Sequence, residues 1–130
     1  TLIIATALVE HNKKYLVVKR TPIKKFSPNQ WEFISGFIEE KESAEETILR
    51  ELKEETGLNG EILTTSAPFA IDDSEARWIV IPFHISVKSD KVTLNPEDHT
   101  EYFWATKEKL INYQDLSQFV TKFKEANVLA

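Results

Sequence analysis

The sequence predicts an α+β fold in one domain spanning residues 1–130, a mixed β-sheet covered by helices. Three observations predict it. Short segments rich in β-branched and aromatic residues recur along the chain. One segment, Ala44–Thr56, carries clear helix start and stop signals. Strands and helices do not alternate strictly, so the sheet is not expected to be purely parallel.

The elements follow in order. Leu2–Glu10 reads as a strand, His11–Lys14 as a polar turn and Tyr15–Arg20 as a second strand, together a hairpin. Thr21–Gln30 holds Pro22 and Pro28 and reads as a loop. Trp31–Ile34 and Phe37–Glu39 read as short strands broken by Ser35-Gly36. Ser43, with Glu46 three residues on, is a capping-box signal for a helix that ends at Gly57. Glu61–Ser66 and Arg77–Val87 read as strands, with Asp72–Glu75 a polar turn between them. In the latter strand Ile79, Ile81, Phe83, Ile85 and Val87 alternate with polar or small residues, and Pro82 demotes part of the run to an edge or bulge. Asn95–Glu101 reads as a polar loop leading into a strand at Tyr102–Ala105. Helices are expected near Lys107–Asn112 and Leu116–Ala126, the last with Leu116, Phe119 and Phe123 at packing spacing.

Composition excludes several classes of chemistry. The chain has no cysteine, which removes thiol catalysis, thiolate zinc sites and disulfides. Leu2–Val9 is too short to span a bilayer and lacks signal-peptide flanks, so no membrane association and a cytoplasmic location are expected. The chain opens at Thr1 and contains no methionine, so the numbering is expected to start after the initiator. A net charge of -5 argues against stable nucleic-acid binding. The charge is also uneven. Lys13, Lys14, Lys19, Arg20, Lys24 and Lys25 form an early basic cluster. Residues 39–55 then hold eight glutamates against three basic residues, an excess equal to that of the whole molecule.

Those glutamates are oddly placed on the helix. With Ala44 as origin and ~100° per residue, Ile48 and Leu52 fall at about 40° and 80°, Glu51 and Glu55 at about -20° and 20°, and Glu54 near -80°. Glu51 and Glu55 thus overlap the apolar arc, where a carboxylate needs compensating charge. Arg50 lies on the outer side, at roughly -120°. A divalent cation such as magnesium suits such oxygens and would exchange its waters for phosphate oxygens. The plainer alternative is a solvated helix face in which Glu46–Arg50 and Arg50–Glu54 are simple i,i+4 pairs.

Gly36, Glu42, Arg50, Glu51, Leu52, Glu54, Glu55, Gly57 and Leu58 fill the pattern Gly-x5-Glu-x7-Arg-Glu-U-x-Glu-Glu-x-Gly-U, with U aliphatic, at all nine fixed positions over 23 residues. In this the chain resembles the Nudix hydrolases, of the MutT-like type. The Trp31-Glu32-Phe33 run before the box and the loop closing at Trp104 are similar as well. The resemblance implies an α/β/α sandwich whose loop–helix–loop holds Mg2+, with Mn2+ able to substitute. Carried over, Glu51, Glu54 and Glu55 are the metal ligands, and a carbonyl of Ser35 or Gly36 completes the coordination. Arg50 orients a glutamate, Glu51 by expectation, Glu42 pins Arg50 or assists the metal, and Gly36 permits a tight turn. Glu51 and Glu54 are thus expected to be catalytic along with Arg50. Asp98 is favoured over Glu97 and Glu101 as an additional metal ligand or base, against the reading of an ordinary acidic turn.

Two departures stand out. Ile34-Ser35-Gly36 replaces the Pro-Gly-Gly common in the family, and Lys41 replaces a frequent glycine before the box glutamate, so the loop has less backbone freedom. Arg20 is as readily a phosphate ligand as a surface charge. Trp31, Phe69 and Trp78 offer faces for a base, Trp78 being the favoured substrate contact, although core packing is the simpler role for each. His84 reads as structural, and His99 as a turn histidine beside Asp98, with contact to substrate as the alternative. The implied reaction is attack of water on a phosphorus of a small-molecule nucleotide, a nucleoside triphosphate giving monophosphate plus pyrophosphate, by a monomer or homodimer. The alternatives are hydrolysis of a nucleotide sugar or dinucleoside polyphosphate, and a non-catalytic nucleotide sensor. The intact box acids argue against the sensor.

Overall fold

The structure is a computed structural model that describes residues 1–26, 28–113, 120, 121 and 123. Strand β1 (Leu2–His11) and strand β2 (Lys14–Arg20) form the expected hairpin. Asn12 and Lys13, at φ 49° and 63°, make its turn with two left-handed residues. The hairpin is paired only near this turn, at Glu10↔Tyr15 and His11↔Lys14. Beyond it the strands part and take different neighbours. Strand β3 (Trp31–Glu32) pairs with β2, and strand β4 (Ile34–Phe37) pairs with β1. The break between them falls at Phe33, not at Ser35-Gly36 as expected. Ser35 and Gly36 are held in a ladder opposite Thr6 and Ala5, and it is at Phe33 that the chain crosses from one ladder to the other.

Helix α1 (Ala44–Thr56) has the boundaries read from sequence. The Ser43 hydroxyl accepts from the Glu46 N–H at 3.1 Å, and Glu46 Oε1 accepts from the Ser43 N–H at 3.0 Å. Gly57 caps the other end at φ 76°. Strand β5 (Gly60–Thr65) and strand β6 (Phe69–Asp72) both pair with strand β7 (Arg77–Val87), which runs parallel to β1. Sequence reading passed over β6, a four-residue strand with only Phe69 and Ile71 directed inward or partly so. Strand β7 is central, not the edge that Pro82 suggested. Its β5 ladder begins at Phe83 and its β6 ladder ends at Val80, so Pro82 sits in the gap between them. The Pro82 carbonyl accepts from the Ser66 N–H at 3.0 Å, so the missing donor on the same side faces that gap. Strand β8 (His99–Thr106) begins earlier than expected, because His99 and Glu101 pair with Arg20 and Lys19 across β2. Helix α2 (Lys107–Asn112) follows as expected. The expected helix 116–126 lies outside the described residues except for Val120, Thr121 and Phe123, of which Val120 and Phe123 are buried.

Among the described residues this makes one mixed sheet of eight strands. Alternation along β1 divides its two faces. Ala5, Ala7 and Val9 pack with Ile48 and Leu52 of α1, while Ile4 and Leu8 pack with Leu110, Val120 and Phe123. Burying Ile48 and Leu52 contributes roughly 2 kcal/mol each and fixes the rotation of α1 against the sheet. The described residues contain no helix long and apolar enough to cross a membrane.

The loop between β4 and α1 keeps a left-handed residue where glycine is absent: Lys41 has φ 68°. A Cβ there costs about 1–2 kcal/mol, part of which glycine would forfeit to the entropy of the unfolded chain. Lys41→Gly is therefore expected to raise stability by about 0.5 kcal/mol in urea denaturation. A loss of stability would show that the Lys41 side chain itself supports the loop.

Candidate active site

The packing of Ile48 and Leu52 decides where the helix carboxylates point. Glu55 is 5% exposed, the Glu51 side chain 20% and the Glu54 side chain 55%. This is the order that their angles on the wheel give. Arg50 lies between the acids. Its Nε donates to Glu42 Oε2 at 2.8 Å and its NH2 to Glu42 Oε1 at 3.0 Å, while NH1 donates to Glu51 and Glu54, each at 3.1 Å. Glu39 stands 3.5 Å away. The hydrogen bonds from Arg50 hold the Glu42 carboxyl below its ordinary range, and those to Glu42 hold the guanidinium above its own. One cation thus faces four carboxylates.

Gly36 has a different role from the turn expected of it. It lies in β4 without a positive φ, and a Cβ there would stand 2.4 Å from Glu51 Cγ and 2.6 Å from its Cδ. The missing side chain is what lets Glu51 lie against the strand.

Glu55 lies outside the reach of Arg50. Burial raises its pKa well above the carboxylate range, and Glu51, Glu32 and Asp98 raise it further. Its Oε2 has no hydrogen-bond partner. The Nδ1 of His99 stands 3.6 Å from its Oε1, too far for a hydrogen bond. His99 is committed on its other side, where Nε2 is 2.8 Å from Glu32 Oε2. Glu32 also accepts from Arg20 NH1 at 3.0 and 2.9 Å, so it is a carboxylate and the imidazole must donate to it through Nε2. Arg20 Nε donates to the Phe26 carbonyl at 2.7 Å. A buried chain therefore runs from Arg20 through Glu32 to His99 and faces Glu55.

The loop before β8 closes over this chain. Asn95 N–H donates to the Glu55 carbonyl at 3.3 Å, Thr21 N–H to the Asp98 carbonyl at 3.2 Å, and Lys24 Nζ to Asp98 Oδ1 at 2.6 Å. Together these parts enclose a cavity of about 260 Å³. Glu51, Glu55, Glu32 and Asp98 supply its acidic wall, Arg20 and Lys24 its basic one, and Ile4, Phe26, Phe37 and Trp78 an apolar one.

Of the residues expected from sequence, Arg20, Ser35, Gly36, Glu51, Glu55, Trp78 and Asp98 all line this cavity. Glu54 does not, being turned outward to Arg50. Arg20 reaches the cavity already paired to Glu32. Trp78 reaches it as a buried residue, 2% exposed, which agrees with core packing, the simpler role, and leaves no open face for a base. Glu97 and Glu101 stay on the surface, Glu101 paired with Lys19. Glu32 and Phe37, which sequence reading did not single out as site residues, also line the cavity, and so does His99, for which a turn role is the simpler reading and substrate contact the alternative. The one signal for Glu32 was a charged residue inside the apolar run Trp31–Ile34.

The donors suit a hard divalent cation. They are oxygens, apart from a histidine already bonded to Glu32, and one of them, Glu55 Oε2, is buried and unpartnered. Among the described residues no three acidic or histidine side chains yet converge at ligating distance. Glu51 and Glu55 both line the cavity, while Glu54 is turned outward to the Arg50 guanidinium.

Comparison with known proteins shows the family of the chain. A family model described as NUDIX domain fits residues 2–126. The chain is similar to the nucleoside triphosphatase NudI of Klebsiella pneumoniae, 32% identical over 122 residues, 85% of this chain and 85% of the relative. It is similar to the CTP pyrophosphohydrolase of Escherichia coli, 28% identical over 111 residues, 85% of this chain and 79% of the relative. The solved MutT protein from Methanosarcina mazei superposes with a TM-score of 0.85 at 26% identity, covering 98% of this chain and 93% of that one.

Two outcomes are expected. A raised folded-state pKa means that the folded protein binds the Glu55 proton more tightly than the unfolded chain does. That stabilisation is complete below the ordinary value of 4.5 and is lost as pH rises toward the folded value. In chelator, Glu55→Gln should therefore melt about 3 °C above the parent at pH 8, with the gap closing toward pH 5. A parent that is the more stable at pH 8 would mean that Glu55 already has a counter-charge. Gly36→Ala should weaken manganese binding by calorimetry about tenfold with little change in melting, because it displaces Glu51. Unchanged binding would show that the close approach is incidental.

Proposed function

The chain belongs to the NUDIX family and is a hydrolase of it, and from that premise we propose that it hydrolyses a nucleoside triphosphate to the monophosphate and pyrophosphate, with magnesium as the cation. The observation that carries this reading is the buried carboxylate of Glu55 beside Glu51, facing a basic wall across one cavity. Acids on one side and Arg20 and Lys24 on the other suit a polyanion that arrives with a cation. The names of the similar proteins, a nucleoside triphosphatase and a CTP pyrophosphohydrolase, support a triphosphate as the substrate. Family members generally use divalent metal ions, and the all-oxygen donor set supports magnesium, with manganese as a substitute.

In this reading Glu51, Glu54 and Glu55, with a carbonyl of Ser35 or Gly36, hold the cation. The cation supplies charge neutralisation on the phosphates and a lowered pKa of the attacking water. Glu54 has to leave Arg50 for this role, and its exposure leaves it free to turn. Arg50 keeps Glu51 in place and is itself fixed by Glu42, a positioning role. Asp98 is the proposed acceptor of the water proton. Its pairing with Lys24 holds it aimed at the cavity. Lys24 and Arg20 receive phosphate oxygens.

A nucleotide panel incubated with magnesium, with products separated by ion-exchange chromatography, tests the reaction. Pyrophosphate and a nucleoside monophosphate are expected. Sugar phosphate as the main product would move the substrate to nucleotide sugars, and no turnover of any diphosphate compound would refute a catalytic role. Glu54→Gln is expected to lower kcat about a hundredfold while leaving the circular dichroism spectrum unchanged. A variant as active as the parent would remove Glu54 from the cation site.

A further inference from the structure

Adjacent residues of β4 serve opposite faces of the sheet. Gly36 lies opposite Ala5 on the α1 side and receives Glu51, whereas Phe37 lies opposite Ile4 on the other side. Phe37 is 48% exposed, although it lines the cavity that also holds Glu51 and Glu55. It is backed from behind. Trp78 stacks on it at 5.9 Å between centroids and 30° between planes, Phe26 meets Trp78 edge-on at 4.8 Å, and the Trp78 indole N–H donates to Asp73 Oδ2 at 2.9 Å. The orientation of Phe37 is therefore set by packing, while an outer part of its ring is left to solvent. An apolar ring half exposed inside a functional cavity forgoes burial that the core would have provided.

We propose that Phe37 is the surface on which the base of the nucleotide stacks, and so a residue that sets affinity for nucleotides over bare polyphosphates. The inference rests on the hydrolase reading above, since the acids and the basic wall fix where the phosphates lie. The remaining wall of the cavity is made by Ile4, Phe26, Phe37 and Trp78. Ile4, Phe26 and Phe37 carry no polar side-chain atom. Trp78, which sequence reading favoured for this role, is buried behind Phe37 and acts by holding it. A planar, π-rich ligand group matches such a wall, and a base presents one whichever base it is.

The test compares the parent with Phe37→Ala and Phe37→Tyr in steady-state hydrolysis of a nucleoside triphosphate. Inorganic tripolyphosphate, which keeps the phosphates and lacks the base, serves as a competitive inhibitor in the same assay. Phe37→Ala is expected to raise KM about tenfold, with the loss falling on KM more than on kcat. The Ki of tripolyphosphate is expected to stay within about twofold of the parent, and Phe37→Tyr, which keeps a ring, to recover most of the lost affinity. An unchanged KM for Phe37→Ala overturns the proposal. So does an equal rise in KM and in the tripolyphosphate Ki, which would place the defect at the phosphates. A parent that hydrolyses no nucleoside triphosphate contradicts the hydrolase reading instead, so the two failures are distinct.

Discussion

The architecture of this protein turns on a carboxylate that its own side chains do not neutralise. Ile48 and Leu52 dock α1 on the sheet, and the same rotation carries Glu55 inward, where burial and three neighbouring acids oppose its charge. A core residue of that kind is ordinarily paired or replaced. Arg50 is near enough in sequence to serve, but it is spent on Glu42, Glu51 and Glu54. Glu55 is left with an unpartnered oxygen facing a cavity, which is a destabilising arrangement unless a cation completes it.

The sheet supplies the room. Because β1 and β2 separate beyond their hairpin, β3 and β4 can enter between them, and β4 brings one residue to each face in turn. Gly36 admits Glu51 on one face, and Phe37 opens an apolar wall on the other. The end of β2 contributes Arg20, and the loop beyond it contributes Lys24. The loop before β8 is fastened to both α1 and β2, which sets Asp98 against Lys24. A small cavity thereby has an acidic, a basic and an aromatic side, each positioned by a different element.

Much of this was legible in the sequence, for identifiable reasons. The limits of α1 were readable because Ser43, Glu46 and Gly57 are local signals whose partners lie within four residues. The relative burial of Glu51, Glu54 and Glu55 followed from helical geometry alone. What escaped depends on distant partners. Ser35-Gly36 looked like a strand break because the ladder to β1 that holds it is formed some thirty residues away along the chain. His99 looked like a turn residue because its partner, Glu32, is 67 positions away. Trp78 could be read either as core or as a stacking face, because nothing local indicates that Phe37 and Phe26 cover it. The role of Gly36 was misread for the same reason: its constraint is the approach of Glu51, not its own backbone angles.

Anomalous diffraction from crystals soaked in manganese tests the central claim most directly. The account predicts an ion in the cavity with Glu51 and Glu55 oxygens among its ligands, a carbonyl of Ser35 or Gly36 beside it, and Glu54 turned away from Arg50. A fully soaked crystal with no anomalous peak near Glu55, the carboxyl still unpartnered, would contradict it.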